Sequence, residues 1–216
     1  MTRGLAAALL AAVIGLAGAQ DSRPGSAPPF RGSVSTIPAE FRARMTSWHP
    51  GCPVPLSKLR LVRTSYWGFD HRAHRGKLIV AARWAGPVLG LFRKFYGWRF
   101  PIRHIVLPEA YGSDDDRLGD SDITSAFNCR FVGGTTSWSE HAYGRAIDIN
   151  PRENPYVAGR HVGPKAGRRF RNRSLREPGM VHAGDRVVRA FQALGWGWGG
   201  YWSYPIDYMH FSATGR

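Results

Sequence analysis

Ser139–Pro151 reads S-E-H-A-Y-G-R-A-I-D-I-N-P and carries a histidine, His141, and a carboxylate, Asp148, with Gly144 between them. On one straight strand, residues seven apart would lie ~23 Å apart on opposite faces. Gly144 permits a turn that folds the segment back and brings the two side chains together. After that turn Arg145-Ala146-Ile147-Asp148-Ile149 alternates as a strand does. Ile147 and Ile149 are expected to face the core, and Ala146 and Asp148 a cleft. One histidine and one aspartate do not complete a zinc site, so a third ligand must come from elsewhere.

Asp207-Tyr208-Met209-His210-Phe211-Ser212 supplies a candidate. Read as one strand, it puts Met209 and Phe211 on one face and Tyr208, His210 and Ser212 on the other. His141, Asp148 and His210 would then form a site of three protein ligands with an open fourth position, the pattern of a catalytic zinc. Asp207, three residues before His210, is placed to act as a general base that does not itself bind metal.

The chain has 216 residues, enough for one domain with a proper core. Residues 1–19 read as a signal peptide, with Arg3, an apolar Leu5–Ala17 run and Ala17-Gly18-Ala19 as cleavage site. That run is shorter than the ~20 residues a membrane span requires, so no stable membrane anchor is expected. Residues 20–48 are expected to be a flexible leader, rich in Pro, Ser and Gly over Asp21–Pro38, with a short helix an option at Ala39–Ser47. Residues 49–216 form the expected folded domain.

The formal net charge of +15 is spread through the domain rather than confined to a tail. Such a charge favours anionic partners, although an arginine-rich composition would give the same figure without one. For an exported chain the anionic partner is a cell-wall polymer and not nucleic acid. The two cysteines, Cys52 and Cys129, permit a single disulfide. It would close a long loop worth ~4 kcal/mol in the chain-entropy model.

Leu59–Phe69 and Lys77–Ala81 read as strands about a polar turn at Asp70–Gly76. Arg83–Tyr96 places Trp84, Val88, Leu91, Phe92 and Phe95 at helical spacing, with a start nearer Gly86 to keep Pro87 in the first turn. Phe100–Leu107 and Thr124–Val132 read as strands, and Tyr111–Asp122 and the basic Pro164–Arg176 as loops. Asp185–Leu194 reads as a short amphipathic helix capped by Asp185. His71 and His74 fall between arginines and read as a solvated turn, and Trp196, Trp198 and Trp202 as turn packing. The Asp114–Asp116 run lacks the rest of a calcium loop. The expected class is α+β: a small, mostly antiparallel sheet with flanking helices around a cleft that holds the ligands.

Ser139-x-His141-x-x-Gly144-x-Ala146-x-Asp148, with a carboxylate-x-x-His at 207 and 210, resembles the VanY-type D-alanyl-D-alanine metallocarboxypeptidases, a superfamily that includes L-alanyl-D-glutamate endopeptidases. Phe100-Pro101-Ile102, Thr124–Arg130, Asn154-Pro155-Tyr156 and Trp196-Gly197-Trp198-Gly199-Gly200 extend the likeness from about Cys52 to Ser212. The resemblance implies a zinc-containing DD-peptidase/Hedgehog-like fold. It also implies one catalytic Zn2+ on His141, Asp148 and His210, and peptidoglycan peptides as substrate. The carboxylate three before the last histidine would be the base; many members carry Glu where this chain has Asp207. Arg130 matches an arginine that polarises the scissile carbonyl in relatives, and Ser139 a residue that helps bind substrate. D-alanyl-D-alanine carboxypeptidase is the first expectation and L-alanyl-D-glutamate endopeptidase the second. A non-catalytic wall- or polyanion-binding module with structural zinc is the rival from another class. A monomer is expected.

Overall fold

The structure, a computed structural model, describes Met1 and residues 27–216; the expected signal peptide and the first part of the leader lie outside the described residues. Two apolar runs set the frame. Strand β1 (Gly32–Ser35) pairs antiparallel with β2 (Leu59–Trp67), which pairs antiparallel with β3 (Ala73–Ala81). A four-residue helix, α1 (Ala39–Arg42), lies between β1 and β2. The β2–β3 hairpin is apolar on both faces because both are covered. Leu59, Leu61 and Ile79 pack on one side with Ile37, Leu107 and Phe127. Val62, Leu78 and Val80 pack on the other with α2 (Ala82–Gly97), through Val88, Leu91, Phe92 and Phe95.

Two differences from the sequence reading follow from this arrangement. Residues 20–48 are not leader throughout: β1 is an edge strand, and Ile37 and Ser47 are buried. Its apolar content is low, but backbone pairing with β2 does not depend on side chains. Helix α2 begins directly where β3 ends, not near Gly86, so Pro87 sits inside it. The hydrogen bond that Pro87 cannot make would go to the carbonyl of Arg83; both residues are exposed, and water can serve that group instead.

The next elements are short. Strand β4 (His104–Ile105) pairs in parallel with β5 (Ile123–Thr124), across α3 (Asp115–Asp120). The longer strands expected at Phe100–Leu107 and Thr124–Val132 do not form. From Ser125 onward the backbone changes partner repeatedly, bonding Asp148, Ile79 and Ser47 in turn. Helix α3 replaces part of an expected loop because the Asp114 carboxylate accepts the Arg117 amide and caps it.

Strand β6 (Ala146–Asp148) follows, then the β7 (Tyr156–Ala158) and β8 (His161–Gly163) hairpin. The basic stretch after it is a 3-10 turn at Lys165–Arg171 that buries Gly167 and Phe170, not an exposed loop throughout. Helix α4 (Arg186–Gln192) has the expected cap, Asp185 accepting the amides of Val187 and Val188. Strands β9 (Gly197–Trp198), β10 (Ile206–Asp207) and β11 (His210–Ser212) complete the chain. Two further three-stranded antiparallel sheets result, ordered β10-β7-β8 and β6-β11-β9. The architecture is α+β, with one main core joining α2, α4, β6 and β11 through Phe95, Ile147, Ile149, Phe191 and Phe211.

Candidate metal centre

His141 lies in a single 3-10 turn, Glu140–Tyr143. The Ser139 hydroxyl caps the turn by accepting the His141 amide at 3.3 Å. The Arg145 guanidinium closes it with two hydrogen bonds to the Glu140 carboxylate, at 2.6 and 2.8 Å. Gly144 ends the turn in the left-handed region, φ 63° and ψ 32°. A Cβ at this position would lie 2.6 Å from the Ala81 nitrogen, whose N–H bonds the Gly144 carbonyl at 2.8 Å. Only glycine meets both demands at once. The turn and β6 thus place His141 and Asp148 side by side, as the sequence reading required.

The antiparallel register of β6 with β11 sets His210 directly opposite Asp148. His141 Nε2 lies 3.3 Å from His210 Nδ1 and 3.2 Å from Asp148 Oδ2, and His210 Nδ1 lies 3.1 Å from Asp148 Oδ1. A tetrahedral ion with Zn–N bonds of 2.0–2.1 Å needs its ligand atoms about 3.3 Å apart. The donor set and its spacing fit such an ion. The His141 Nδ1–H donates to the Ala126 carbonyl, which leaves the Nε2 lone pair facing the cluster.

Electrostatics reinforce the grouping. Burial opposes ionisation of Asp148, yet the two imidazoles hold its carboxyl well below the usual carboxylate range. Burial acts against the His210 cation, but its hydrogen bond to Asp148 wins and raises it. Asp207, on β10 opposite Tyr156, departs in the opposite direction from Asp148. Burial first and the Asp148 charge second push its carboxyl up to about 7. Asp207 Oδ1 is buried and has no hydrogen-bond partner among the described residues. An unpaired carboxylate oxygen beside two histidines and an aspartate is a costly arrangement for stability alone.

Residues 133–213 match the D-alanyl-D-alanine carboxypeptidase family. The resemblance read in the sequence is thereby shown for this stretch, which holds Ser139, His141, Asp148, Asp207 and His210. The match supports a peptidase. No curated protein and no solved structure matches the chain.

The matched segment begins after Arg130, whose guanidinium is engaged elsewhere. It pairs with the Asp115 carboxylate, which also accepts the Asn128 side-chain amide at 2.9 Å. Arg130 reaches the segment through its backbone, its carbonyl accepting the Ser139 amide at 3.1 Å. Ser139 itself is buried and spends its hydroxyl on the His141 turn. Cys52 and Cys129 form the expected disulfide, tying the start of the domain to the residue before Arg130. His49 lies 3.6 Å from Cys129 Sγ, but sulfurs joined to each other offer no thiolate, so these three residues are not a second metal centre.

Two open grooves share no residue with the cluster. One of about 420 Å³ is lined by Phe41, Arg44, Lys77 and Leu107 among others, and one of about 340 Å³ by Phe69, Arg152, Glu153 and Phe170 among others. Chemistry, not cavity size, picks out the site. Sequence reasoning missed the Ala126 carbonyl, whose role is carried by the main chain and leaves no side-chain signal. It also missed the tilted contact of the Trp202 ring with His210, centroids 5.5 Å apart; its only trace in the sequence is the Gly/Trp run before β10.

Proposed function

We propose that this chain is an exported zinc-dependent peptidase that hydrolyses peptidoglycan stem peptides, acting as a D-alanyl-D-alanine carboxypeptidase. The observation that carries the reading is the three-donor cluster with tetrahedral spacing beside the unpartnered oxygen of Asp207. His141 Nε2, Asp148 and His210 Nδ1 would hold the ion. When bound, zinc supplies polarisation of the scissile carbonyl and acidification of water.

The remaining chemistry belongs to the chain. Asp207 accepts a proton from the attacking water and returns it to the leaving amine as the C–N bond breaks, so that one water is consumed per bond cut. Arg130 stabilises the negative charge that builds on the carbonyl oxygen, and does so once substrate draws its guanidinium from Asp115. Ser139 contributes by fixing the His141 turn.

Export rests on the signal-like residues 1–19 and on the disulfide, which suits an oxidising compartment. No helix among the described residues is long and apolar enough to cross a membrane. The net charge of +15 suits a polyanionic wall as the surrounding medium.

Mass spectrometry of muropeptides incubated with the zinc-loaded protein tests the reading, with His210→Ala as control. Loss of one alanine from pentapeptide stems, absent in the control, is the expected result. Cleavage between L-alanine and D-glutamate would instead make it the endopeptidase. Wall binding without any zinc-dependent product would overturn catalysis and leave a binding module.

A further inference from the structure

His210 can serve as a ligand through Nδ1 only if its proton resides on Nε2. The group that selects this tautomer comes from the segment after β11. His210 Nε2 lies 3.1 Å from the Arg216 main-chain oxygen, to which it donates, and the Ser212 hydroxyl donates to the same oxygen at 2.6 Å. We propose that Ala213–Arg216 is a structural part of the metal centre, with the Arg216 main-chain oxygen as the acceptor that fixes His210 in its ligating form. Arg216 is in this sense a positioning residue. The inference rests on the reading of His141, Asp148 and His210 as metal ligands.

The segment is built to hold that oxygen in place. The Ala213 amide donates to the Arg145 carbonyl at 2.9 Å, which anchors the segment beside the residue that follows Gly144. The Trp202 indole N–H donates to the Gly215 carbonyl at 2.7 Å, while the same ring lies against His210. Gly215 turns with φ 76°, and its amide returns to the Ser212 carbonyl at 3.2 Å. On the β9 side, a Cβ on Gly197 would lie 2.5 Å from the Gly215 Cα, so the two chains approach as closely as glycine allows. Four separate contacts thus hold the segment that carries this oxygen.

The two imidazoles are then treated alike. Each has one nitrogen aimed at the cluster and the other donating to a main-chain oxygen, that of Ala126 for His141 and that of Arg216 for His210. Acceptors of this kind orient the ring, fix the tautomer and raise ligand basicity, and losing one costs about 10–100-fold in metal affinity. Because the acceptor is main-chain, the identity of the side chain at 216 is immaterial while the presence of residues 214–216 is not.

That asymmetry gives the test. Cobalt(II) affinity, from competition with a chelating indicator, and the visible d–d spectrum are measured for the whole chain, Arg216→Ala, and a chain lacking residues 214–216. Arg216→Ala is expected to stay within about twofold of the parent with the same spectrum. The shortened chain is expected to bind about 10–100-fold more weakly with altered bands. Trp202→Phe with Ser212→Ala, which frees the segment without shortening it, is expected to move both readouts the same way and serves if the shortened chain does not fold. Parental affinity and spectrum in the shortened chain, or in that double variant where the shortened chain does not fold, would overturn the inference. An intact chain that binds no cobalt would overturn the metal reading itself, and with it this one.

Discussion

Gly144→Ala puts the turn that carries His141 under a strain that can be worked out. Alanine held at φ 63° costs about 1–2 kcal/mol for the left-handed backbone alone. Its methyl would sit 2.6 Å from the Ala81 nitrogen and 3.1 Å from the Val80 carbonyl carbon, both backbone atoms of β3 that cannot rotate away. Relieving the overlap opens the 2.8 Å bond from Ala81 N–H to the Gly144 carbonyl and shifts the turn, a further loss of about 2–3 kcal/mol by analogy with overpacked cores and lost hydrogen bonds. The total, about 3–5 kcal/mol, is a large part of the stability of an ordinary domain. For a chain of this size that lowers the melting temperature by roughly 6–20 °C. Gly195→Ala is the matched control: φ is 78° but no atom lies within 4 Å of the added methyl, so only the backbone cost applies. Thermal melts of both variants in EDTA, followed by far-UV circular dichroism, separate the two contributions, and cobalt binding at a temperature where both are folded reports the displacement of His141. Equal melting shifts in the two variants would refute the overlap argument, and unchanged cobalt affinity in Gly144→Ala would refute the coupling of the turn to the site.

Asp207→Asn should leave zinc binding close to that of the parent and lower muropeptide hydrolysis by about 10²–10⁴-fold; a variant that keeps both zinc and full activity would remove Asp207 from the role of base. Zinc at a hundredfold excess over its dissociation constant should stabilise the chain by about 2.7 kcal/mol and raise its melting temperature by roughly 5–10 °C, and His210→Ala should abolish that rise in calorimetry. Burial first and then the Asp122 charge push the Glu153 carboxyl up to about 7, so the folded chain keeps a proton there that the unfolded chain releases near 4.5. The parent should therefore lose stability relative to Glu153→Gln as pH rises from about 4.5 to 7, by at most about 3 kcal/mol, and change no further above that. Denaturant unfolding at several pH values checks this; a constant difference across the window would mean that Glu153 is not held protonated.

The parts legible in the sequence were those carried by side chains within a short window. His141, Gly144 and Asp148 declare a turn and a strand, and the α2 spacing of Val88, Leu91, Phe92 and Phe95 declares a buried helical face. Asp185 announced the start of α4 by its own capping chemistry. The illegible parts depend on partners far along the chain. Gly32–Ser35 carries no strand pattern and is a strand only because β2 offers a free edge. Residues 125–130 do read as a strand, but they bond Asp148, Ile79, His141, Ser47 and Ser139 in turn and pair continuously with none. The link from His210 to Arg216 is equally invisible, since it runs to a main-chain oxygen and not to a side chain.

The strand expected across Asp207–Ser212 shows how such a departure makes the site. On an unbroken strand, residues 207 and 210 would point to opposite faces, and the carboxylate and the imidazole could not share a cleft. The chain instead breaks at Tyr208–Met209, where it passes from pairing with β7 to pairing with β6. The Tyr208 amide bonds the Pro155 carbonyl at 3.3 Å, and the Met209 carbonyl accepts the Ile149 amide at 3.0 Å. The Trp198 indole fixes the break by donating to the Tyr208 carbonyl at 2.8 Å. Beneath it, a Cβ on Gly199 would fall 2.5 Å from the Asp207 carbonyl oxygen, so glycine there lets β10 settle close enough. The crossing resets the alternation, and both Asp207 and His210 come within reach of Asp148, whose charge raises the pKa of each. Asp207 and His210 can share one cleft because the strand is broken between them, which is what the proposed base role requires.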